Sequence, residues 1–312
     1  MHGAEADAAA TTKRLLDEVA RVVVGQHALL EGLVIGLLAG GHVLVEGVPG
    51  LAKTTAVRTL AQALGLGFRR VQFTPDLLPG DLVGTPVYRP DEQRFAVRKG
   101  PIFTPVLLAD EINRAPAKVQ SALLEAMEER QVTIGDESFP LPQPFFVMAT
   151  QNPIEHEGTY PLPEAQIDRF LLKLVVGYPS ADEEIAIALR SDLDAPRVDA
   201  VADAAAVAAL QAAAAAVHVA DAVADYAVRL VRATREARSV AVGASPRASR
   251  FLLRAARARA LLDGRDWASP HDVKRVAPDV LRHRVVLTYE AEADGMRAED
   301  VVGAVLAAVA TP

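Results

Sequence analysis

The sequence predicts an α/β architecture: a three-layer αβα domain around a mainly parallel five-stranded sheet, followed by an all-α C-terminal domain. Three observations predict it. Five short segments of the first half read as strands, several without polar alternation, which suits strands buried on both faces of a parallel sheet. Helix-favouring segments separate them. Beyond Tyr178-Pro179-Ser180 alanine and helical periodicity take over, and no strand run stands out.

Strands are expected at 43–45, 69–73, 106–109, 145–149 and 171–176, with helices at 54–64, 117–129 and 163–168 between them. The apolar stretch 32–41 is too short to cross a bilayer and reads as a buried helix. Two interruptions, 85–97 around Pro90-Asp91-Glu92 and 131–139 around Gly135-Asp136, read as β-hairpins. The alanine-rich 201–219 reads as helix. The expected domains are 1–180 and 181–312.

A chain of 312 residues suits about two domains. With 51% hydrophobic and 23% charged residues it builds a large core, which excludes wholesale disorder. A net charge of −7 disfavours a nucleic-acid partner. The absence of cysteine excludes disulfides, thiolate zinc sites and cysteine nucleophiles. Residues 1–10 lack the apolar core of a signal peptide, so a soluble cytoplasmic protein without membrane insertion is expected.

Gly47-Val48-Pro49-Gly50-Leu51-Ala52-Lys53-Thr54-Thr55 stands between the first strand and its helix. Such a turn aims backbone N–H groups and a positive helix end at phosphates. Lys53 would reach the β- and γ-phosphates of a nucleotide triphosphate, and Thr54 would bind Mg²⁺. Ala52 departs from the pattern, which asks for glycine. An ordinary Gly/Pro turn is the alternative.

The run 106–109 delivers Asp110 and Glu111 at a strand end. Triphosphate hydrolysis needs one carboxylate for Mg²⁺ and another for the attacking water, and Asp110 and Glu111 fit those roles in that order. Asn152 follows the run 145–149 and could bond both the water and the γ-phosphate; before Pro153 it is equally an ordinary turn residue. Arg169 closes a short helix. It could stabilise a phosphoryl transition state, or it pairs with Asp168 or Glu164. Arg247, after Pro246 at a helix start, could reach back to the phosphates, although many arginines surround it. His27, His42, His156, His218, His271 and His283 lack metal-ligand spacing and read as structural or surface residues. Arg69-Arg70 reads as a solvated face.

In this order, the segments 47–54, 110–115, 149–153, 164–170 and 243–247 closely resemble the MoxR family of AAA+ ATPases over residues 20–305, and Ala52 is usual in that family. The resemblance implies a P-loop NTPase fold with a helical lid, ATP and Mg²⁺ as ligands, and ATP hydrolysis. It implies that Asn152 is sensor 1, that Arg247 is sensor 2, and that Arg169 is an arginine finger offered to a neighbouring subunit, hence a homo-oligomeric ring, commonly a hexamer. Residues 76–100 would be a helix-2 insert and 131–144 a pre-sensor-1 hairpin, both engaging a protein client. Chaperone-like remodelling or maturation of a partner follows, sometimes for metal or cofactor insertion, with a von Willebrand factor A domain protein as an associate. Competing expectations are a nucleotide-gated binding module with marginal hydrolysis, a chelatase-type motor subunit, and a DNA-linked motor, which the acidic charge disfavours.

Overall fold

The computed structural model describes residues 2–153, 159–189 and 196–312. Two helices lead the chain, α1 (His2–Val22) and α2 (His27–Leu38), followed by strand β1 (Val43–Glu46), helix α3 (Lys53–Ala63) and strand β2 (Phe68–Gln72). A short helix α4 (Pro79–Val83) and the hairpin β3 (Gly84–Arg89) and β4 (Arg94–Lys99) precede β5 (Val106–Asp110). Helix α5 (Ala117–Glu129) leads to a second hairpin, β6 (Gln131–Ile134) and β7 (Glu137–Pro140), then to β8 (Phe146–Gln151), α6 (Glu164–Ile167) and β9 (Leu172–Val175). All five expected strands form within a residue or two, and both hairpins are present.

Those five strands form one parallel sheet in the order β2-β5-β8-β1-β9. Strand alternation divides their side chains between two cores. Val43, Val45, Val106, Leu108, Phe146 and Met148 face a core shared with α1, α2 and α3. Leu44, Leu107, Ala109, Val147 and Ala149 face a second core with α5 and the two hairpins. Helix α2 is buried along most of its length, as its apolar sequence requires. It approaches the sheet closely because Gly36 carries no side chain; a methyl there would overlap Val43.

The remainder is helical: α7 (Ala181–Ala188), α8 (Ala204–Ala216), α9 (Asp221–Glu236), α10 (Pro246–Leu262), α11 (Pro270–Leu281), α12 (Tyr289–Ala293) and α13 (Ala298–Ala308). The alanine-rich stretch is shorter as a helix than its composition predicts. Asp203 caps α8 by accepting the Ala206 N–H at 2.8 Å, and residues 218–219 turn into a strand. Short ladders add to the helices: β10 (His218–Val219) with β12 (Trp267–Ala268), and β11 (Val240–Val242) with β13 (Val286–Leu287).

The helical region shares the first core with α1 and α2. An ionic junction adds to it: Glu31 on α2 meets Arg259 of α10 at 2.7 Å and Arg275 of α11 at 3.3 Å. No helix among the described residues is long and apolar enough to cross a membrane.

His42, just before β1, ties three segments together. Its Nε2–H donates to the Met127 carbonyl at 3.2 Å and its Nδ1 accepts the Val147 N–H at 3.1 Å. Burial, followed by the nearby positive charge of Arg130, brings its pKa from 6.5 down to about 3. The fold therefore holds the ring neutral, whereas the unfolded chain takes up a proton. The contribution is complete above pH 6.5 and is lost as the pH falls towards 3. His42→Gln should shrink the stability lost between pH 6 and pH 5 by about 1 kcal/mol relative to the parent chain, read by urea unfolding. Equal losses in the two proteins would refute a neutral buried ring.

Candidate functional site

The carboxyl ends of β1, β5 and β8 open on one cleft of about 350 Å³, lined by residues 49–55, Arg70, Asp110, Glu111 and residues 150–152. A parallel sheet dictates this, because all its strand ends point the same way. The loop after β1 begins with Gly47, whose N–H donates to the Gln151 carbonyl at 3.4 Å. A side chain at Gly47 would crowd the Val176 carbonyl, its Cβ lying 2.8 Å away. Val48 packs against the first core. Gly50 has φ +87°, and Ala52 takes the left-handed conformation, φ 55° and ψ 16°, at the start of α3. The first turn of α3 presents its unpaired N–H groups to the cleft, together with Thr54 and Thr55.

Lys53 is half-buried, and its ammonium donates to the Gly47 carbonyl. Burial lowers its pKa, while Asp110, Glu111 and Glu46 oppose the shift. Asp110 accepts the Thr150 hydroxyl on Oδ1 at 2.6 Å, and on Oδ2 the Arg70 Nε at 2.9 Å and Nη2 at 2.6 Å. Thr150 also accepts the Glu111 N–H at 2.9 Å. Glu111 lies in the left-handed region, φ 56°, and heads a 3₁₀ turn at Ile112–Arg114. Its Oε2 accepts Gln72 Nε2 at 2.6 Å and Arg114 Nη1 at 3.0 Å. Asn152 is buried at the same edge, just beyond β8.

The donors present suit Mg²⁺. The Thr54 hydroxyl and the Asp110 carboxylate are hard oxygen donors on the same cleft as the glycine-rich loop, and Mg²⁺ is commonly held by one or two carboxylates together with substrate phosphates. Among the described residues no group of three or more His, Cys, Asp or Glu gathers as an all-protein metal site.

Arg169 and Arg247 do not line this cleft. The structure brings them together elsewhere, on a shared carboxylate: Glu128 takes Arg169 Nε at 3.1 Å and Arg247 Nη2 at 3.0 Å. Arg169 also donates to the Leu124 carbonyl at 2.9 Å. The pairing of Arg169 with Asp168 or Glu164 weighed from sequence gives way to Glu128, because α5 passes beside the end of α6. Arg247 does not reach back to the loop of its own chain, because α10 docks on α2 with its start beside α5. Both arginines line a second cavity of about 280 Å³ with Arg130, Arg250 and Arg254. Asp168 instead serves Arg284, a buried guanidinium, at 2.7 Å, and accepts Ser245 Oγ at 3.2 Å. Burial pulls the Arg284 pKa down to about 10, and Asp168 opposes the shift.

Sequence reasoning missed Arg70, read as solvated, along with Gln72, Thr150, Arg114 and Glu128. Strand alternation was the available signal for the first two: Arg70 and Gln72 share the face of an edge strand that runs towards Asp110 and Glu111. Of the histidines, His42 is buried and His283 half-buried, each with a carbonyl partner, whereas His156 lies outside the described residues.

Known proteins match this geometry. Residues 42–172 match the family model described as "ATPase family associated with various cellular activities (AAA)", and residues 232–305 match an AAA lid domain. The chain is 54% identical to Chaperone MoxR1 of Mycobacterium tuberculosis, over 97% of this chain and 82% of that protein. It is 46% identical to the uncharacterized protein YeaC of Bacillus subtilis, over 96% and 94%. It is 35% identical to Protein MoxR of Methylorubrum extorquens, over 90% and 88%. A crystal structure of a candidate ATPase from Cytophaga hutchinsonii superposes with a TM-score of 0.93 at 45% identity, covering 99% of this chain and 97% of that one.

Arg284 is buried while Asp168 is partly exposed, and removing the carboxylate leaves the buried guanidinium without its ionic partner. Asp168→Asn should therefore lower unfolding stability by about 3 kcal/mol, measured by urea denaturation. A loss within about 0.5 kcal/mol, ordinary for a surface change, would mean that the carbonyls around Arg284 suffice.

Proposed function

The chain belongs to the MoxR family of AAA+ ATPases and is an ATP hydrolase, and we propose that it cleaves ATP at seams between copies of itself to remodel or mature a partner protein. The observation that carries this reading is the convergence of Lys53, Thr54, Asp110, Glu111 and Asn152 on one cleft, with Arg169 and Arg247 held apart from it. The cleft holds what binding and water activation need. It lacks an arginine for the transferred charge from the two positions that the family pattern names.

The backbone of residues 47–55 and the Lys53 ammonium hold the triphosphate. Thr54 and Asp110 would hold Mg²⁺, which when bound neutralises charge on the β- and γ-phosphate oxygens. Asn152 orients a water, and Glu111 accepts its proton as the water oxygen attacks the γ-phosphorus. The bond to the β-γ bridging oxygen breaks, leaving ADP and phosphate. Arg169 of the adjoining copy stabilises the charge that develops, and Arg247 beside it contributes from the same side.

A seam of this kind joins different surfaces on the two copies, and we take it to close as a ring, a hexamer, rather than extend as a filament. The segment 76–100 and the hairpin 131–144 would face the client, and Tyr88 and Phe95, half or more exposed and 5.3 Å apart at the tip of the first hairpin, offer it an aromatic contact. The relative named a chaperone supports a protein client. We place the protein in the cytoplasm, with residues 1–180 as the nucleotide-binding unit and 181–312 as the lid. A von Willebrand factor A domain protein is the associate to seek first, and metal or cofactor insertion the maturation.

Glu111→Gln should keep ATP binding, read with a fluorescent nucleotide, and lower phosphate release by about 100-fold or more. Normal turnover in that variant would remove Glu111 from its role. Arg169→Ala should be inactive alone. Mixed in equal amounts with Glu111→Gln, it should regain turnover at about a quarter of the seams, those pairing an intact cleft with an intact arginine. Mixtures as inactive as their parents would place Arg169 outside the neighbour's reaction.

A further inference from the structure

Both oxygens of Asp110 are already engaged by the protein. Thr150 donates to Oδ1, and Arg70 places two donors on Oδ2. Arg70 comes from β2, the edge strand, where it pairs in register with Leu108 and extends two residues along the same face to Asp110. The contact is not isolated. Arg70 Nη2 also donates to Gln72 Oε1 at 2.9 Å, and Gln72 Nε2 donates to Glu111 Oε2 at 2.6 Å. Two side chains of one strand thus hold both acids of the cleft.

We propose that Arg70 is a positioning residue that competes with the divalent cation for Asp110, holding the carboxylate oriented and charge-compensated and yielding Oδ2 when the cation binds. The inference rests on the reading of Asp110 as the metal carboxylate. A guanidinium is permanently charged, so it stands in for a cation at any working pH. Two positive groups cannot share one carboxylate oxygen without mutual repulsion. Arg70 can leave readily: its side chain is 51% exposed, so water replaces the partner its guanidinium gives up, while Asp110, 13% exposed, is left to the incoming cation. Its departure also removes the donor to Gln72 Oε1, which loosens the grip of Gln72 on Glu111. Neighbouring Arg69 points to the opposite face and lines a separate cavity beneath the β3–β4 hairpin, so the role falls to Arg70 alone of the pair.

The test is a Mg²⁺ titration of N-methylanthraniloyl-ATP binding, followed by fluorescence at fixed nucleotide, for the parent chain, Arg70→Gln, Arg70→Lys and Asp110→Asn. Binding in EDTA on the same samples reports folding. In Arg70→Gln the half-saturating Mg²⁺ concentration should fall by about threefold to fivefold, the scale set by an exposed ion pair. In Arg70→Lys, which keeps the charge but not the two-donor fork, it should fall less. An unchanged or raised Mg²⁺ requirement in a folded Arg70→Gln or Arg70→Lys protein overturns the proposal. Asp110→Asn separates the two claims. If it titrates like the parent chain, the metal reading of Asp110 is wrong. If it loses the Mg²⁺ dependence while the Arg70 variants match the parent, only the role of Arg70 falls.

Discussion

The parallel pairing of β8, with β5 on one side and β1 on the other, is the constraint from which the cleft follows. The register sets Leu108 beside Met148 and Ala109 beside Ala149, and on the other side Val45 beside Thr150 and Glu46 beside Gln151. Three chain exits therefore stand level, and the phosphate loop, the two acids and Asn152 emerge at one height. The inner positions of this pairing, Leu44, Val45, Leu108, Ala109, Met148 and Ala149, are apolar and fully buried. Thr150 supplies the polar finish. One hydroxyl fixes the Asp110 carboxylate and the Glu111 backbone at once, so the end of β8 positions the end of β5.

The arginines of the opposite side divide into two kinds. Some complete the fold: Arg130 donates to the Gly40 carbonyl at 2.7 Å and the Phe145 carbonyl at 2.6 Å, and Arg254 reaches the Ala39 carbonyl. These guanidiniums satisfy carbonyls at the end of α2, where helix-terminal oxygens lack partners and the helix dipole is negative. Arg169 and Arg247 differ from them. They are about one-third exposed and share one carboxylate, Glu128, which is itself 39% exposed. Asp168 lies 3.9 Å from Arg247 but is already paired with Arg284, so three guanidiniums meet two carboxylates and a positive surplus remains. The docking of α10 on α2 keeps that surplus away from the chain's own cleft.

Much of this was legible in the sequence because it depends on near neighbours. Strands β1, β5 and β8 are apolar runs closed by polar residues, and the glycine-rich loop, Asp110-Glu111 and Asn152 each follow such a run directly. What escaped depends on register and docking. Arg70 looks like surface beside Arg69 until β2 is set against β5. Glu128 lies on a helix face whose neighbour is fixed only when α5 meets the end of α6. The direction of Arg247 is set by α10 packing on α2, far away in the chain. Helix α1 mixes alanines and charges in its sequence, yet Ala8, Leu15 and Val19 are buried along one face. The two-residue and three-residue ladders β10 to β13 are too short for any periodicity to show.

Two backbone positions show that the site is held against local preference. Ala52 and Glu111 both adopt left-handed conformations at φ 55° and 56°, where a side chain costs about 1 kcal/mol relative to glycine. Each sits at an exit from the sheet. At Ala52 the turn swings the chain into α3, so that Lys53 follows at once and folds back over the loop. At Glu111 the turn breaks the line of β5, whose extension would have carried the acid past the cleft. Thr150 holds its N–H, and the Arg114 N–H bonds its carbonyl at 2.9 Å, so the strained residue is fastened at both ends. Glycine would adopt this conformation without strain but would supply no carboxylate. The strain at Glu111 is therefore the consequence of placing an acid at a turn, and the hydrogen bonds around it are what allow that acid to face the cleft.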